Sequence, residues 1–169
     1  MPRRRASAGA PVRVCFVCLG NICRSPTAEA VMRELVRDAG LTPEIDLDSA
    51  GTAGWHIGHA PDTRAVDEAA RRGIRIVHRG RQFTRRDFDE FDLVLAMDHE
   101  NRAQLLRLAP HGDAADNVRF LRSFDRDGDG VVEILDPYYG SVEDFVRAFD
   151  EIEQSCHGLL THLREDYLT

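Results

Sequence analysis

The chain contains no lysine: all 22 of its basic residues are arginine, against 29 acidic ones, for a formal net charge of -7. That balance excludes a general nucleic-acid binder, which carries a basic surface. The one basic cluster, Arg3 to Arg5, belongs to a tail over residues 1–11 that is expected to be disordered. Long apolar runs are also missing. Nothing approaches the roughly 20 consecutive apolar residues of a membrane span, and the start MPRRRASAGAPVR has no apolar stretch to act as a signal peptide, so the sequence predicts a cytoplasmic protein with no membrane partner. Cysteine is scarce, at four residues, and without an export signal these are expected as reduced thiols rather than as a disulfide framework.

Three of the four, Cys15, Cys18 and Cys23, fall within VCFVCLGNICRSP, residues 14 to 26. Cys15-x2-Cys18 imitates half of a zinc site. A structural tetrahedral site needs four ligands, and neither a second such pair nor a suitably spaced C-x-x-H exists, so no metal is expected there. Cys15, inside an apolar segment, reads as a small buried hydrophobe.

With 169 residues and 43% hydrophobic content the chain suits one domain, expected over residues 12–169. The pattern alternates. Residues 12–17 (VRVCFV) and 91–97 (FDLVLAM) read as strands, 45–51 (IDLDSAG) as strand and turn, and 117–124 (NVRFLRSF) as a further short strand. Helical spacing runs through 27–40, 61–73 and 99–109. A final helix over 142–164 carries Phe145, Phe149, Ile152, Cys156, Leu159 and Leu163 on one stripe. The expected fold is α/β: a single domain with a four-stranded parallel sheet, helices on both faces and the site at the carboxyl ends of the strands.

The loop after the first strand, C-L-G-N-I-C-R, places a cysteine and an arginine five residues apart at the start of a helix. Successive backbone N–H groups in such a loop, with the positive end of the helix, make an anion cradle. Gly20 lets the backbone turn or approach closely, and Asn21 is the next most tolerant residue of left-handed conformations. Arg24 offers a planar fork for two phosphate oxygens, and Cys18, at the mouth of the cradle, is placed where dipole and guanidinium favour a nucleophilic thiolate. Ser25 reads either as a cap for the helix or as a hydroxyl for the Cys18 sulfur.

VCFVCLGNICRSP resembles the phosphate loop of the low-molecular-weight protein tyrosine phosphatases, in their bacterial type. The resemblance continues through D-S-A-G-T (48–52), W-H-I-G (55–58), P-D-x-R-A (61–65), H-R-x-R-Q (78–82), F-D-L-V-L-A-M-D (91–98) and D-P-Y-Y-G (136–140). It implies hydrolysis of phosphotyrosine through a cysteinyl phosphate, with Cys18 as nucleophile, Arg24 on the transferring phosphoryl group and Asp136 as general acid and base. Leu19, Gly20, Asn21, Ile22, Cys23 and Ser25 then form the phosphate loop, with Ser49 and His78 supporting it, and Trp55, Tyr138 and Tyr139 wall a slot for an aryl phosphate. Cys23 is implied as a redox guard able to close a disulfide with Cys18.

The resemblance also implies a monomeric signalling enzyme without cofactor or metal. Its partners are tyrosine-phosphorylated proteins, with a cognate tyrosine kinase as a further candidate. Two alternatives stay open on the same fold. Phosphoarginine hydrolysis goes in the family with C-x-G-N-T-C-R-S and a D-P-F ending, against Ile22 and Tyr138 here, and arsenate reduction needs a relay of further cysteines where this chain offers only Cys156. One more segment, DRDGDGVVEILD (125–136), matches the opening of a calcium-binding EF-hand loop, but a Gly- and Asp-rich turn explains the same letters.

Overall fold

The computed structural model describes residues 9–110 and 112–168, so the expected basic tail lies, except for its last residues, outside the described residues. Four strands, β1 (Val12–Cys18), β2 (Ile45–Gly51), β3 (Leu93–Ala96) and β4 (Val118–Phe120), form one sheet in the order β2-β1-β3-β4. All three pairings are parallel. Because β2 lies on one side of β1 and β3 on the other, the chain switches direction at the carboxyl end of β1, where ligands bind in open parallel sheets. Cys18 is the last residue of that strand.

Alternation along β1 divides the core. Val12, Val14, Phe16 and Cys18 face one layer, shared with the helices α1 (Arg24–Asp38), α2 (Thr63–Arg71) and α5 (Val142–Asp166). Cys15 and Val17 face the other, shared with the short α3 (Asp87–Glu90) and with α4 (His99–Leu108). Cys15 and Cys18 thus lie on opposite faces of the sheet, and the apparent half zinc site is a coincidence of letters. Phe16 is fully buried between β1 and the helices of the first layer, and its truncation to alanine is expected to cost about 3–5 kcal/mol.

Two predicted strands are shorter than the sequence pattern. Residues 91–97 contribute only Leu93–Ala96, because Phe91 closes α3 and Asp92 is tied to Arg13, accepting its amide at the side chain and donating its own to the Arg13 carbonyl, both at 2.8 Å. Residues 117–124 pair only through Phe120, then tighten into a 3-10 turn, Leu121–Phe124, that drops Leu121 and Phe124 into the core. Both segments are apolar enough for strands, and the turns were invisible to periodicity. The Asp-rich segment is a run of Asx turns, with the amides of Asp127 and Val131 donating to the side chains of Asp125 and Asp129. It leads to the 136–140 loop, whose exit is fixed by a capping box between Ser141 and Asp144 at the start of α5.

Candidate active site

The loop between β1 and α1 turns on Asn21. Its φ of 55° makes it the one non-glycine residue among those described with a left-handed backbone, a conformation that needs outside support. That support is complete: the Asn21 amide donates to Ser25 Oγ at 2.8 Å and Ser49 Oγ at 3.1 Å, and its oxygen accepts from His78 Nε2 at 2.7 Å and the Arg81 amide at 2.9 Å. Ser49 Oγ donates to Glu29 Oε1 at 2.8 Å, and His78 Nδ1 stands 3.4 Å from the same oxygen. The predicted supports Ser49 and His78 therefore meet on Asn21, and a buried carboxylate, Glu29, completes the network. His78 is largely enclosed here, with a side chain 10% exposed, rather than on the surface.

Ser25 does not cap α1. The N-cap position is Cys23, with no side-chain cap, and Ser25 lies inside the first turn. Its hydroxyl instead meets Cys18 Sγ at 2.9 Å while receiving the Asn21 amide. The uncapped helix end leaves its first N–H groups for an anion.

Arg24 is 2% exposed. One end of its guanidinium is held, with Nη1 donating to Asp98 Oδ2 and to the Ile134 carbonyl, each at 2.7 Å. Asp98 is itself fixed as the N-cap of α4, accepting from the Asn101 amide at 2.7 Å. The other edge differs: Nε is buried without a hydrogen-bond partner, and Nη2 stands 3.5 Å from Asp136 Oδ2. Burial opposes the charge on Arg24, but Cys18, Asp98 and Asp136 outweigh it and hold the guanidinium above its ordinary pKa. A buried guanidinium edge with two N–H groups unspent is shaped to take two oxygens of one anion.

Cys18 and Arg24 line a single pocket with Leu19, Gly20, Ile22, Cys23, Trp55, His56, Asp136, Tyr138 and Tyr139. Asp136 accepts the Tyr138 amide at 3.1 Å, which aims its carboxyl at the mouth. Trp55 is 70% exposed and Tyr139 96% exposed, so neither is a core anchor and both stand at the rim. Tyr138 packs edge-on against Tyr139 and under the Arg64 guanidinium. Arg64 also donates to the Tyr138 carbonyl at 2.9 Å and pairs with Asp62, which caps α2 and whose amide bonds the Ile22 carbonyl at 2.8 Å. The phosphate loop and the Asp136 loop are thereby joined through α2.

Burial raises the thiols of Cys15, Cys23 and Cys156 well above the usual range, and for Cys23 the nearby Asp62 adds to it. Among the described residues, Glu29, Asp48 and His78 bring one ligand atom each within 4.8 Å. Their atoms are already committed, to Arg33 and Ser49, to Arg81, and to Asn21, which makes the trio a hydrogen-bond network rather than an open metal cage.

Every residue expected in the loop, its support and its wall occurs in this one cluster. Sequence reasoning missed Glu29, Asp98, His56, Arg64 and the Ile134 carbonyl. Asp98 carried a signal, as an Asp at a predicted helix start, but that explains capping alone. The family model described as low molecular weight phosphotyrosine protein phosphatase matches residues 13–168. A low molecular weight protein-tyrosine-phosphatase of Streptomyces coelicolor is 46% identical over 154 residues, covering 90% of this chain and 94% of the relative. Among solved structures, a protein tyrosine phosphatase from Entamoeba histolytica superposes with a TM-score of 0.87 at 36% identity, covering 91% of this chain and 97% of that one. The Drosophila arginine phosphatase superposes at 0.83 with 33% identity, covering 90% and 98%.

Proposed function

The chain belongs to the low molecular weight phosphotyrosine protein phosphatase family, and from that membership we propose that it hydrolyses phosphotyrosine on proteins with Cys18 as nucleophile, Arg24 as phosphoryl ligand and Asp136 as general acid and base. The Cys18 thiolate attacks phosphorus and forms the S–P bond while the P–O bond to the phenol breaks; Asp136 gives its proton to the departing oxygen. Water then gives a proton to Asp136 and attacks phosphorus, and the electrons of the S–P bond return to Cys18. Ser25, 2.9 Å from the sulfur, donates to the departing thiolate. Arg24 and the loop amides carry the charge on the equatorial oxygens through both steps.

The observation that carries this reading is the divided guanidinium of Arg24. Nη1 is spent on Asp98 and Ile134, while the buried Nε has no hydrogen-bond partner, Nη2 stands by Asp136, and the residue lines the pocket with Cys18. The rim of Trp55, Tyr138 and Tyr139 suits a flat aromatic ring, with faces available for stacking. Ile22 gives the wall an apolar side chain where the phosphoarginine reading expects threonine, so the phenolic substrate is favoured over the guanidinium one. The arsenate reading loses its relay, since Cys156 is fully buried in the α5 core. Among the described residues no helix is long and apolar enough to cross a membrane. We place the enzyme in the cytoplasm, acting as a monomer in phosphotyrosine signalling on tyrosine-phosphorylated proteins and opposite a cognate kinase.

The test is turnover of a phosphotyrosine peptide, a phosphoarginine peptide and a series of aryl phosphates by wild type, Cys18→Ser and Asp136→Asn. Expected are preference for the phosphotyrosine peptide, no turnover by Cys18→Ser, and a deficit in Asp136→Asn that shrinks as the leaving group improves. A leaving-group-independent deficit, or preference for phosphoarginine, would overturn the assignment.

A further inference from the structure

The lip of the pocket carries a histidine pair that phosphoryl transfer does not use. Residues 56 to 59 form a β-turn, with the His59 amide donating to the His56 carbonyl at 3.0 Å and Gly58 in the third position at a φ of 81°, as in a type II turn. The turn is pinned from outside. Gly58 donates to the Gly80 carbonyl at 2.8 Å and Gly80 donates back to the His59 carbonyl at 2.9 Å. A Cβ at Gly80 would overlap the His56 carbonyl, so this approach requires glycine. Held in this way, the two imidazoles present their Nδ1 atoms 3.3 Å apart, with ring planes tilted by 55°.

That separation has a second meaning besides one shared proton. Two nitrogens each about 2.0–2.1 Å from a tetrahedral zinc-type ion stand about 3.3–3.4 Å apart. The pair therefore already has the bite of a chelate, on a backbone fixed by three hydrogen bonds and open to solvent. Imidazole suits zinc, nickel and copper.

We propose that His56 and His59 form a binding site for a divalent transition-metal ion, each ligating through Nδ1, with water completing the coordination. Two protein ligands make an exchangeable site rather than a structural one. Its place gives it consequence: His56 lines the same pocket as Cys18, lies 6.4 Å from the Tyr138 ring between centroids, and packs so close to the phosphate loop that a Cβ at Gly20 would come within 3.0 Å of its ring. A bound ion fixes the His56 ring and sets a dication at the pocket mouth.

The experiment is calorimetric titration of the untagged protein with Ni²⁺, together with proton NMR of the histidine rings. Wild type and Cys18→Ser should each bind with the same affinity, since the site does not include the thiol. His59→Ala, a change at an exposed turn position, should weaken binding about tenfold or more with an unchanged thermal transition. Paramagnetic broadening should strike the His56 and His59 rings first. Undiminished binding by His59→Ala, loss of binding in Cys18→Ser, or broadening that begins at other histidines would overturn the proposal.

Discussion

Replacing Asp98 by asparagine isolates the group that orients Arg24. The carboxylate accepts Nη1 at 2.7 Å with Oδ2 and caps α4 with Oδ1. Asparagine has one acceptor oxygen: kept on the Asn101 amide it preserves the cap and turns its NH2 toward Nη1, so the guanidinium loses both the charge and the acceptor. Charge-assisted hydrogen bonds are worth about 1.5–3 kcal/mol and neutral ones about half that. Losing the whole charge-assisted bond, about 1.5–3 kcal/mol of orientation, corresponds to a fall of about 10- to 150-fold in kcat/KM. The direction is set by geometry, because Asp136 already stands 3.5 Å from Nη2 and becomes the stronger remaining anchor, drawing the free edge away from phosphate. Alanine is the wrong variant for this purpose. It removes the cap of α4 together with the partner of Arg24, so lost orientation and a frayed helix end would fall in one number. Steady-state hydrolysis of an aryl phosphate, with the inhibition constant of inorganic phosphate measured alongside, reads the effect: both should worsen by the same factor in Asp98→Asn. An Asp98→Asn enzyme with wild-type kcat/KM and wild-type phosphate inhibition would refute the orienting role.

Ser25→Ala removes the hydroxyl facing the Cys18 sulfur, so hydrolysis of the phosphoenzyme should slow about tenfold or more, read as a slower steady state after the first equivalent of phenol than wild type gives. Asp62→Ala should cost about 1 kcal/mol through the α2 cap, measured by denaturant unfolding. Burial alone would raise the Asp62 carboxyl, but the Arg64 donors hold it below its ordinary value. Its contribution is therefore present above the unfolded pKa and disappears as the pH falls through the lowered folded one, so the gap between wild type and variant should be constant near neutrality and narrow in acid below about pH 4. Cys23→Ser should recover less activity than wild type after peroxide followed by thiol, if Cys23 shields Cys18 from over-oxidation; equal recovery would remove that role.

The sheet and the phosphate loop were legible because their signals are local. An apolar strand, a Gly-Asn turn, an arginine and a helix start occupy consecutive residues, and Cys18, Asn21 and Arg24 could be singled out from their chemistry before any fold was known. What escaped was whatever depends on distant segments meeting. Glu29 reads as an ordinary charged position on an amphipathic helix, and only the approach of Ser49 and His78 makes it a buried acceptor. Asp98 reads as a cap until Arg24 arrives from 74 residues away. Ser25 was ambiguous for the same reason: an N-cap and a sulfur donor use the same hydroxyl near the same helix end, and only the helix starting at Arg24 decides between them. The four-residue α3 and the 3-10 turn after β4 are too short for periodicity to register.

Acid quenching of Asp136→Ala during turnover of an activated aryl phosphate, followed by mass spectrometry of the peptide carrying Cys18, tests the mechanism at its centre. A good leaving group needs little acid to depart, whereas the second step still lacks its base, so the covalent intermediate should accumulate. The account predicts a phosphoryl group on Cys18, absent when Cys18 is also replaced by alanine. A phosphoryl group on another residue, or turnover that survives Cys18→Ser, would contradict it.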